Sequence, residues 1–171
     1  SIRENCLAIA DYIEAQNLEV KYLINNAGVL SRGLFEELSM DYIDKQIQVN
    51  ITAPTLLSRL LLGNLKRNAP SDILNVSSLA SFFPLVKKQV YCGSKAYITA
   101  FSRSLRKELK PYGISVSTLC PGGLNTTKRL CYQNRILGWF SRRSILTPEA
   151  AATIAIEGML HEREVIVPGR L

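Results

Sequence analysis

The sequence is poor in the residues that bind metals or build disulfide scaffolds. Among its 171 residues it has four cysteines, Cys6, Cys92, Cys120 and Cys131, and a single histidine, His161. The cysteines show neither the paired spacing of a metal site nor the density of a small secreted domain. We therefore predict no metal site and four reduced cysteines that serve as packing residues.

Long hydrophobic runs are also missing. No apolar stretch approaches the length of about eighteen residues that a membrane span needs, and the first residues lack the layout of a signal peptide. The composition, 47% hydrophobic and 20% charged, is typical of soluble globular proteins. These features predict a single cytoplasmic domain over residues 1–171 without a membrane span.

Acidic residues are missing from one long segment. Residues 109–148 contain no Asp or Glu, and six basic residues there account for nearly all of the net charge of +7. A basic coat over the whole chain is therefore excluded, and no nucleic-acid partner is predicted. The segment is either a solvated loop or a positive wall beside an anionic cofactor or substrate. The six residues are Lys110, Lys128, Arg129, Arg135, Arg142 and Arg143.

The pattern of apolar residues predicts an alternation of strands and helices. Four short β-branched runs, at 19–25, 72–78, 114–120 and 164–169, have the near-continuous apolar character of strands buried on both faces. Helix-like stretches lie at 1–16, 39–67, 91–109 and 148–160, while 122–146 is either a long loop or two short helices. The alternation predicts an α/β fold with a doubly wound parallel sheet of about four strands.

Caps and apolar periodicity refine the helix predictions. Ser39 and Thr147 are predicted N-caps, and Pro148 suits the first position of the last helix. The predicted inward faces are Ile2, Cys6, Ile9, Tyr12 and Ile13 in the first helix, and Tyr97, Phe101, Leu105 and Leu109 in the helix at 91–109.

Small, polar and glycine residues follow three of the predicted strands. These segments are NNAG (25–28), SSLAS (77–81) and CPGGLNTT (120–127). Ligands of parallel sheets bind beyond the carboxyl ends of the strands, and small residues let the backbone approach a ligand closely. The three loops are therefore predicted to form one continuous rim around a ligand.

The spacing of Tyr91 and Lys95 indicates acid–base chemistry. Four residues apart on a helix, they lie on the same face. An ammonium beside a phenol favours the ionised phenol, so we predict that Lys95 lowers the pKa of Tyr91 from its usual value near 10. A phenol tuned in this way can exchange a proton with a substrate as a carbonyl and an alcohol interconvert.

The ordered set of NNAG, Asn50, Ser78, Tyr91, Lys95 and PGGLNT resembles the short-chain dehydrogenase/reductase family, from about Asn25 to the C-terminus. The resemblance implies a Rossmann-like sheet, of which this chain holds only the second half. It also implies an NAD(P)(H)-dependent oxidoreductase that interconverts a secondary alcohol and a ketone by hydride transfer. Its catalytic residues would be Asn50, Ser78, Tyr91 and Lys95.

The resemblance also implies individual roles. Ser78 would donate a hydrogen bond to the substrate oxygen, whereas the side chain of Ser77 is predicted to point the other way. Tyr91 would contact the cofactor, and Lys95 would bind its nicotinamide ribose. The remaining residues that would stabilise the central strands or line the cofactor are Asn25, Ala27, Gly28, Pro121, Gly122, Leu124 and Thr126.

Pro54 stands four residues after Asn50 and cannot donate the helical hydrogen bond to the Asn50 carbonyl. In the family that is resembled, a water on this carbonyl connects the lysine to solvent. We therefore predict that Pro54 exposes an acceptor for a proton relay. The alternative is that Pro54 only kinks the helix.

The glycine motif GxxxGxG, which holds the pyrophosphate in the family, is missing upstream of NNAG. A sheet that starts at 19–25 would expose an apolar edge strand. The expectation is that these residues are the remainder of a longer chain that also contains the adenine-binding half. NADP is favoured over NAD, although the residues that discriminate between them belong to that half.

The resemblance also carries expectations about the substrate and the oligomeric state. Leu137, Trp139 and Phe140 fall where similar enzymes have a variable substrate lid, but they could equally belong to the core or to an interface. The neighbouring Arg135 and arginines 142 and 143 fit either an anionic substrate or a solvated surface. A small-molecule carbonyl or alcohol substrate is expected, and the helices around 40–67 and 89–110 favour a homodimer or homotetramer.

Two other functions stay open at this point. The chain could be a truncated, non-catalytic scaffold or interaction module of the same fold. A nucleotide-sugar epimerase shares the Tyr–Lys pair, but the short chain and NNAG disfavour it.

Overall fold

The computed structural model describes residues 1–30, 33–124 and 145–169. Its centre is a sheet of four parallel strands in the order β1-β2-β3-β4. This arrangement confirms the predicted parallel α/β fold. The strands are β1 (Tyr22–Asn25), β2 (Ser71–Val76), β3 (Ile114–Leu119) and β4 (Val165–Ile166).

Two of the predicted strands are shorter than expected. The amide of Val20 donates to Asn64 Oδ1 at 2.9 Å instead of to the sheet, and the bonding to β2 begins at the Lys21 carbonyl, which accepts from the Asp72 amide at 2.8 Å. Strand β4 has only two residues, and Pro168, two positions beyond its end, has no N–H to extend the ladder. The register aligns the carboxyl ends of β1, β2 and β3, because Asn25 pairs with Asn75 and Asn75 pairs with Thr118.

Two helices begin at the predicted caps Ser39 and Thr147, and the first helix begins at a cap that was not predicted. Ser1 and Glu4 form a capping box, the hydroxyl of Ser39 accepts from the amide of Tyr42, and Thr147 caps the last helix. The α-helices are α1 (Ile2–Ala15), α2 (Met40–Ile47), α3 (Ala53–Leu60), α4 (Leu62–Arg67), α5 (Gln89–Leu109) and α6 (Pro148–Leu160).

The prediction of one helix over 39–67 is wrong in detail. A turn of π-helix, Gln48–Thr52, separates α2 from α3, and the chain bends again at Leu61 before α4. The π turn lies directly before Pro54, whose ring and missing N–H are incompatible with a regular α-helical turn at Asn50. The accessibility of the Asn50 carbonyl to water stays a prediction.

Neighbouring residues of β2 point into two separate cores. Ile73 packs with residues of α1, α4 and α5 on one face of the sheet, and Leu74 packs with α6 on the other. Both side chains are almost completely buried. The alternation of the strand therefore anchors helices on both faces, as predicted for a doubly wound sheet.

The predicted inward faces of α1 and α5 are partly wrong. In α1, Ile9 and Tyr12 are exposed, whereas Cys6 and Ala10 are buried. In α5 the buried side chains include many small or polar ones, and the rings of Tyr97 and Phe101 stack outside the core at 5.8 Å. Small residues let α5 lie close to the sheet and exchange hydrogen bonds with it, for example Asn75 Nδ2 to the hydroxyl of Ser102 at 2.8 Å.

The first strand forms an edge of the sheet with one apolar face in solvent. Tyr22 and Ile24 are 54% and 46% exposed, while Leu23 between them is buried at 9%. This confirms the predicted bare edge. The expectation of a longer chain stays a prediction.

The cysteines in the described part of the chain are free: Cys6 and Cys120 are buried and Cys92 is half-buried. Cys131 lies outside the described residues, as do all residues predicted for the substrate lid. Within the described ranges, no group of three or more His, Cys, Asp or Glu side chains could hold a metal ion. None of the helices described there is both long and apolar enough to cross a membrane.

Candidate active site

A cavity of about 550 Å³ opens at the carboxyl ends of β1, β2 and β3. The loops that follow these strands line it together with the first turns of α5. The predicted rim therefore surrounds one cavity. Of the predicted site residues, the ones that line it are Gly28, Ser78, Tyr91, Lys95, Pro121, Gly122 and Leu124.

Two adjacent serines at the end of β2 have different partners. The hydroxyl of Ser78 accepts from the amide of Ala80 at 3.1 Å and hydrogen-bonds to the phenol of Tyr91. The hydroxyl of Ser77 is buried against α5, where it donates to the Lys95 carbonyl at 2.9 Å and contacts Thr99 Oγ1 at 2.8 Å. The extended backbone thus directs the neighbouring hydroxyls apart, as predicted.

The protonation of Tyr91 differs from the prediction. Burial raises the pKa of Tyr91, and the hydrogen bond with Ser78 opposes this rise. Removal from water disfavours the phenolate, because the neutral phenol needs less solvation. The prediction that Lys95 lowers the pKa of Tyr91 is therefore wrong for this structure, in which Ser78 is the neighbour that favours the phenolate.

Lys95 lies one turn after Tyr91 and is 4% exposed. Its Nζ donates to the carbonyl of Val76 at 2.8 Å and lies 5.8 Å from the centroid of the Tyr91 ring. Burial lowers the pKa of Lys95 to about 8, and the weaker effect of Cys120 opposes this change. At neutral pH the amine is therefore mostly, but not completely, protonated.

Asn50 supports the cavity wall from behind. It is buried, with 1% exposure, and does not line the cavity. Its Oδ1 accepts from the amide of Val29 at 2.8 Å, and its Nδ2 donates to the Val29 carbonyl at 2.9 Å and to Ser94 Oγ at 3.1 Å. The side chain thus ties the loop after β1 to α5.

Gly28 keeps this corner of the cavity open. A Cβ at this position would lie 3.4 Å from Lys95 Nζ and 3.6 Å from Asn50 Oδ1. Any larger side chain would occupy the space in front of the ammonium. Glycine at this position therefore leaves room for a ligand to approach Lys95.

Asn25 joins the strands rather than lining the cavity. Its Nδ2 donates to Asn75 Oδ1 at 2.7 Å across the β1–β2 pair. This contact agrees with the implied role in stabilising the central strands. Ala27 does not line the cavity either, and Thr126 lies outside the described residues.

Sequence reasoning missed several residues of the cavity. The most polar of them is Lys88, which the helical spacing could have identified, since it lies three residues before Tyr91. The carbonyl of Val76 had no sequence signal, because any residue can supply a backbone acceptor. The other lining residues outside the predicted rim loops are Val29, Leu30, Val76 and Leu85, whereas Asn26, Ser77, Leu79, Ala80 and Gly123 belong to those loops.

Comparison with known proteins identifies the family. A family model described as short chain dehydrogenase matches residues 1–133. The chain belongs to the short chain dehydrogenase family. This result agrees with the resemblance carried by the sequence motifs.

The chain resembles short chain dehydrogenases in both sequence and structure. It is 39% identical over 100 residues to an uncharacterized oxidoreductase of Thermotoga maritima, covering 58% of this chain and 40% of that protein. It is 33% identical over 129 residues to an NADPH-dependent 1-acyldihydroxyacetone phosphate reductase of Schizosaccharomyces pombe, covering 75% of this chain and 42% of that protein. The chain thus spans less than half the length of either relative.

A solved structure extends the similarity to the fold. The bulky-bulky ketone specific alcohol dehydrogenase from Comamonas testosteroni superposes with a TM-score of 0.78 at 25% identity. The match covers 95% of this chain and 60% of that protein. The parallel sheet described above is therefore a Rossmann-like sheet of the short chain dehydrogenase type.

Proposed function

We propose that the protein is an NAD(P)(H)-dependent oxidoreductase that interconverts a secondary alcohol and a ketone. The observation that carries the proposal is that a serine hydroxyl, a tyrosine phenol and a lysine amine line one cavity beyond the strand ends. Family membership supports the reaction class, and the NADPH dependence of the S. pombe relative supports a nicotinamide cofactor. Titration with NADH and NADPH decides between the two cofactors.

The loops of the cavity fit a nicotinamide cofactor. Gly28, Pro121 and Gly122 present mainly backbone, and the glycine leaves open space in front of Lys95. Together with Leu124 and Lys95, they are the residues that would hold the nicotinamide and its ribose. A bound nicotinamide supplies or accepts the hydride.

In ketone reduction, Tyr91 would act as the general acid. Because burial raises its pKa, the phenol holds its proton at neutral pH and can donate it to the carbonyl oxygen. Ser78 would donate a hydrogen bond to the same oxygen, which stabilises its developing negative charge. In alcohol oxidation the proton would return from the alcohol to the phenolate of Tyr91.

Lys95 would bind the ribose of the nicotinamide cofactor beside Tyr91. Its ammonium lies 5.8 Å from the ring centroid, and the Val76 carbonyl holds it on that side. Asn50 would position the loop around Gly28, through its hydrogen bonds to Val29 and Ser94. A water bound to the Asn50 carbonyl would connect Lys95 to solvent and complete a proton relay.

The replacement Tyr91→Phe tests the proposal. Protein expressed from its complete reading frame is titrated with NADH and NADPH and assayed by nicotinamide absorbance on a panel of ketones. The expected result is saturable binding of one cofactor and a loss of turnover of about 10²- to 10⁴-fold in the variant. The matched control is Tyr97→Phe, because the Tyr97 hydroxyl bonds to Thr55 at 3.2 Å, away from the cavity.

Two results would contradict the proposal. Absence of any saturable cofactor response would favour the non-catalytic scaffold. Full turnover by Tyr91→Phe would remove the tyrosine from the chemistry. A homodimer or homotetramer through the helices around 40–67 and 89–110 is proposed as well, and sedimentation of the purified protein tests it.

A further inference from the structure

The cavity has an unbalanced charge. Two lysines, Lys88 and Lys95, line it, and no Asp or Glu does so among the residues that the structure describes. Lys95 has a partner, since its amine donates to the Val76 carbonyl. The charge on Lys88 calls for a separate explanation.

The fold itself does not explain Lys88. It is half-buried, and no carboxylate within residues 1–30, 33–124 and 145–169 lies within salt-bridge distance of it. It precedes α5 as the N-cap residue, where an ammonium, which has no acceptor, cannot form the capping hydrogen bond. A cation near the N-terminus of a helix is also electrostatically unfavourable. A ligand charge is therefore a better explanation than stability.

Lys88 and Lys95 stand on opposite sides of Tyr91 along the chain. Lys88 precedes Tyr91 by three residues as the N-cap of α5, and Lys95 follows it by one helical turn, beside Gly28. Because Gly28, which is assigned to the nicotinamide, lies beside Lys95, we assign the part of the cavity near Lys88 to the substrate. The lining residues that precede Lys88 most closely in the chain are apolar: Leu79, Ala80 and Leu85.

We propose that Lys88 pairs with an anionic group of the substrate, which makes it a specificity-determining residue. The substrate class is then a ketone or secondary alcohol with an apolar body and a carboxylate or phosphate a few atoms from the reacting carbon. This spacing follows from the separation of three residues between Lys88 and Tyr91 and from the length of the lysine side chain. This inference rests on the proposed function.

A matched pair of substrates tests the inference. The probes are keto fatty acids with about two to four methylenes between the ketone and the carboxylate, their methyl esters, and the corresponding keto-alkyl phosphates. The wild-type enzyme is expected to prefer the acid or the phosphate to the neutral ester in kcat/KM. Comparison of the carboxylate with the phosphate then identifies the anion.

Replacement of Lys88 should remove this preference. In Lys88→Met, the ratio of kcat/KM for the anion to that for the ester is expected to fall about ten- to a hundredfold, and Lys88→Arg should retain most of it. Lys87→Met is the matched control, because Lys87 is exposed and does not line the cavity. Its ratio should equal that of the wild type.

The outcomes separate this inference from the proposed function. Equal turnover of acids, phosphates and esters by the wild type would overturn the role of Lys88 and leave the oxidoreductase proposal intact. A preference that survives in Lys88→Met, or is lost equally in Lys87→Met, would also overturn it. If the protein reduces none of the ketones used to test the proposed function, both the oxidoreductase proposal and the role of Lys88 are contradicted.

Discussion

The amine of Lys95 donates a hydrogen bond of 2.8 Å to the main-chain carbonyl of Val76, the last residue of β2. The sheet itself thus holds the cation of the candidate active site. Because a backbone acceptor carries no formal charge, it compensates only part of the free energy lost when the ammonium leaves water. The lowered pKa of Lys95 is the result.

The pKa of Lys95 predicts how stability depends on pH. The pKa is about 8 in the folded protein and 10.5 as the ordinary value, so between these pH values the unfolded chain binds more protons. The free energy of unfolding of the wild type should therefore rise with pH relative to Lys95→Met, by about 3 kcal/mol over the full window. Urea unfolding at a series of pH values from about 7 to 11 measures this difference.

A second variant checks that titration is the cause. Ser94→Ala alters hydrogen bonding beside Lys95 without removing a titratable group, so its difference from the wild type should stay constant with pH. A difference between the wild type and Lys95→Met that is also independent of pH would show that burial does not lower this pKa.

The titration of Tyr91 provides the second prediction. Burial raises its pKa, so the phenol should ionise above the usual pH near 10. Subtracting the ultraviolet pH titration of Tyr91→Phe from that of the wild type isolates this residue. In Ser78→Ala the pKa should rise further, because the hydrogen bond that favours the phenolate is removed.

Ser77→Ala is the matched control for this titration. The Ser77 hydroxyl bonds to Lys95 and Thr99 on α5, so the ionisation of Tyr91 should be unchanged in this variant. Ionisation of Tyr91 below pH 10 in the wild type would instead restore the hypothesis that Lys95 tunes the phenol.

The contrast between these two residues indicates what the sequence could predict. The spacing of four between Tyr91 and Lys95 correctly predicted a shared cavity, because helical geometry alone fixes their relative positions. The sign of the Tyr91 pKa shift was not predictable in this way. It depends on how much water the loops after β1, β2 and β3 exclude, and that burial arises from residues distant in sequence.

Helix faces show the same division between local and tertiary effects. The caps Ser39 and Thr147 were predictable, since capping involves only residues within one turn. The buried face of α5 was not, because the apolar repeat at Tyr97 and Phe101 lies outside the core. Its actual contacts with the sheet are hydrogen bonds such as Asn75 to Ser102, which hydrophobic periodicity does not detect.

The packing of α6 on the sheet gives the last prediction. A Cβ at Gly158 would lie 2.7 Å from two carbons of Ile166, the second residue of β4. Gly158→Ala should therefore lower the free energy of unfolding by about 1–3 kcal/mol, since overpacking forces the helix or the strand to shift. Ile166→Val in the same chain removes one of the clashing carbons and should recover part of the loss.

A second helical glycine separates packing from helix propensity. A Cβ at Gly93 in α5 would have no neighbour within 4 Å. Gly93→Ala should thus raise the free energy of unfolding by about 0.5–1 kcal/mol, because alanine loses less backbone entropy on folding. Thermal and urea unfolding of the variants measure the signs. If Gly158→Ala were as stabilising as Gly93→Ala, the close contact between α6 and β4 would not determine the stability of this face of the sheet.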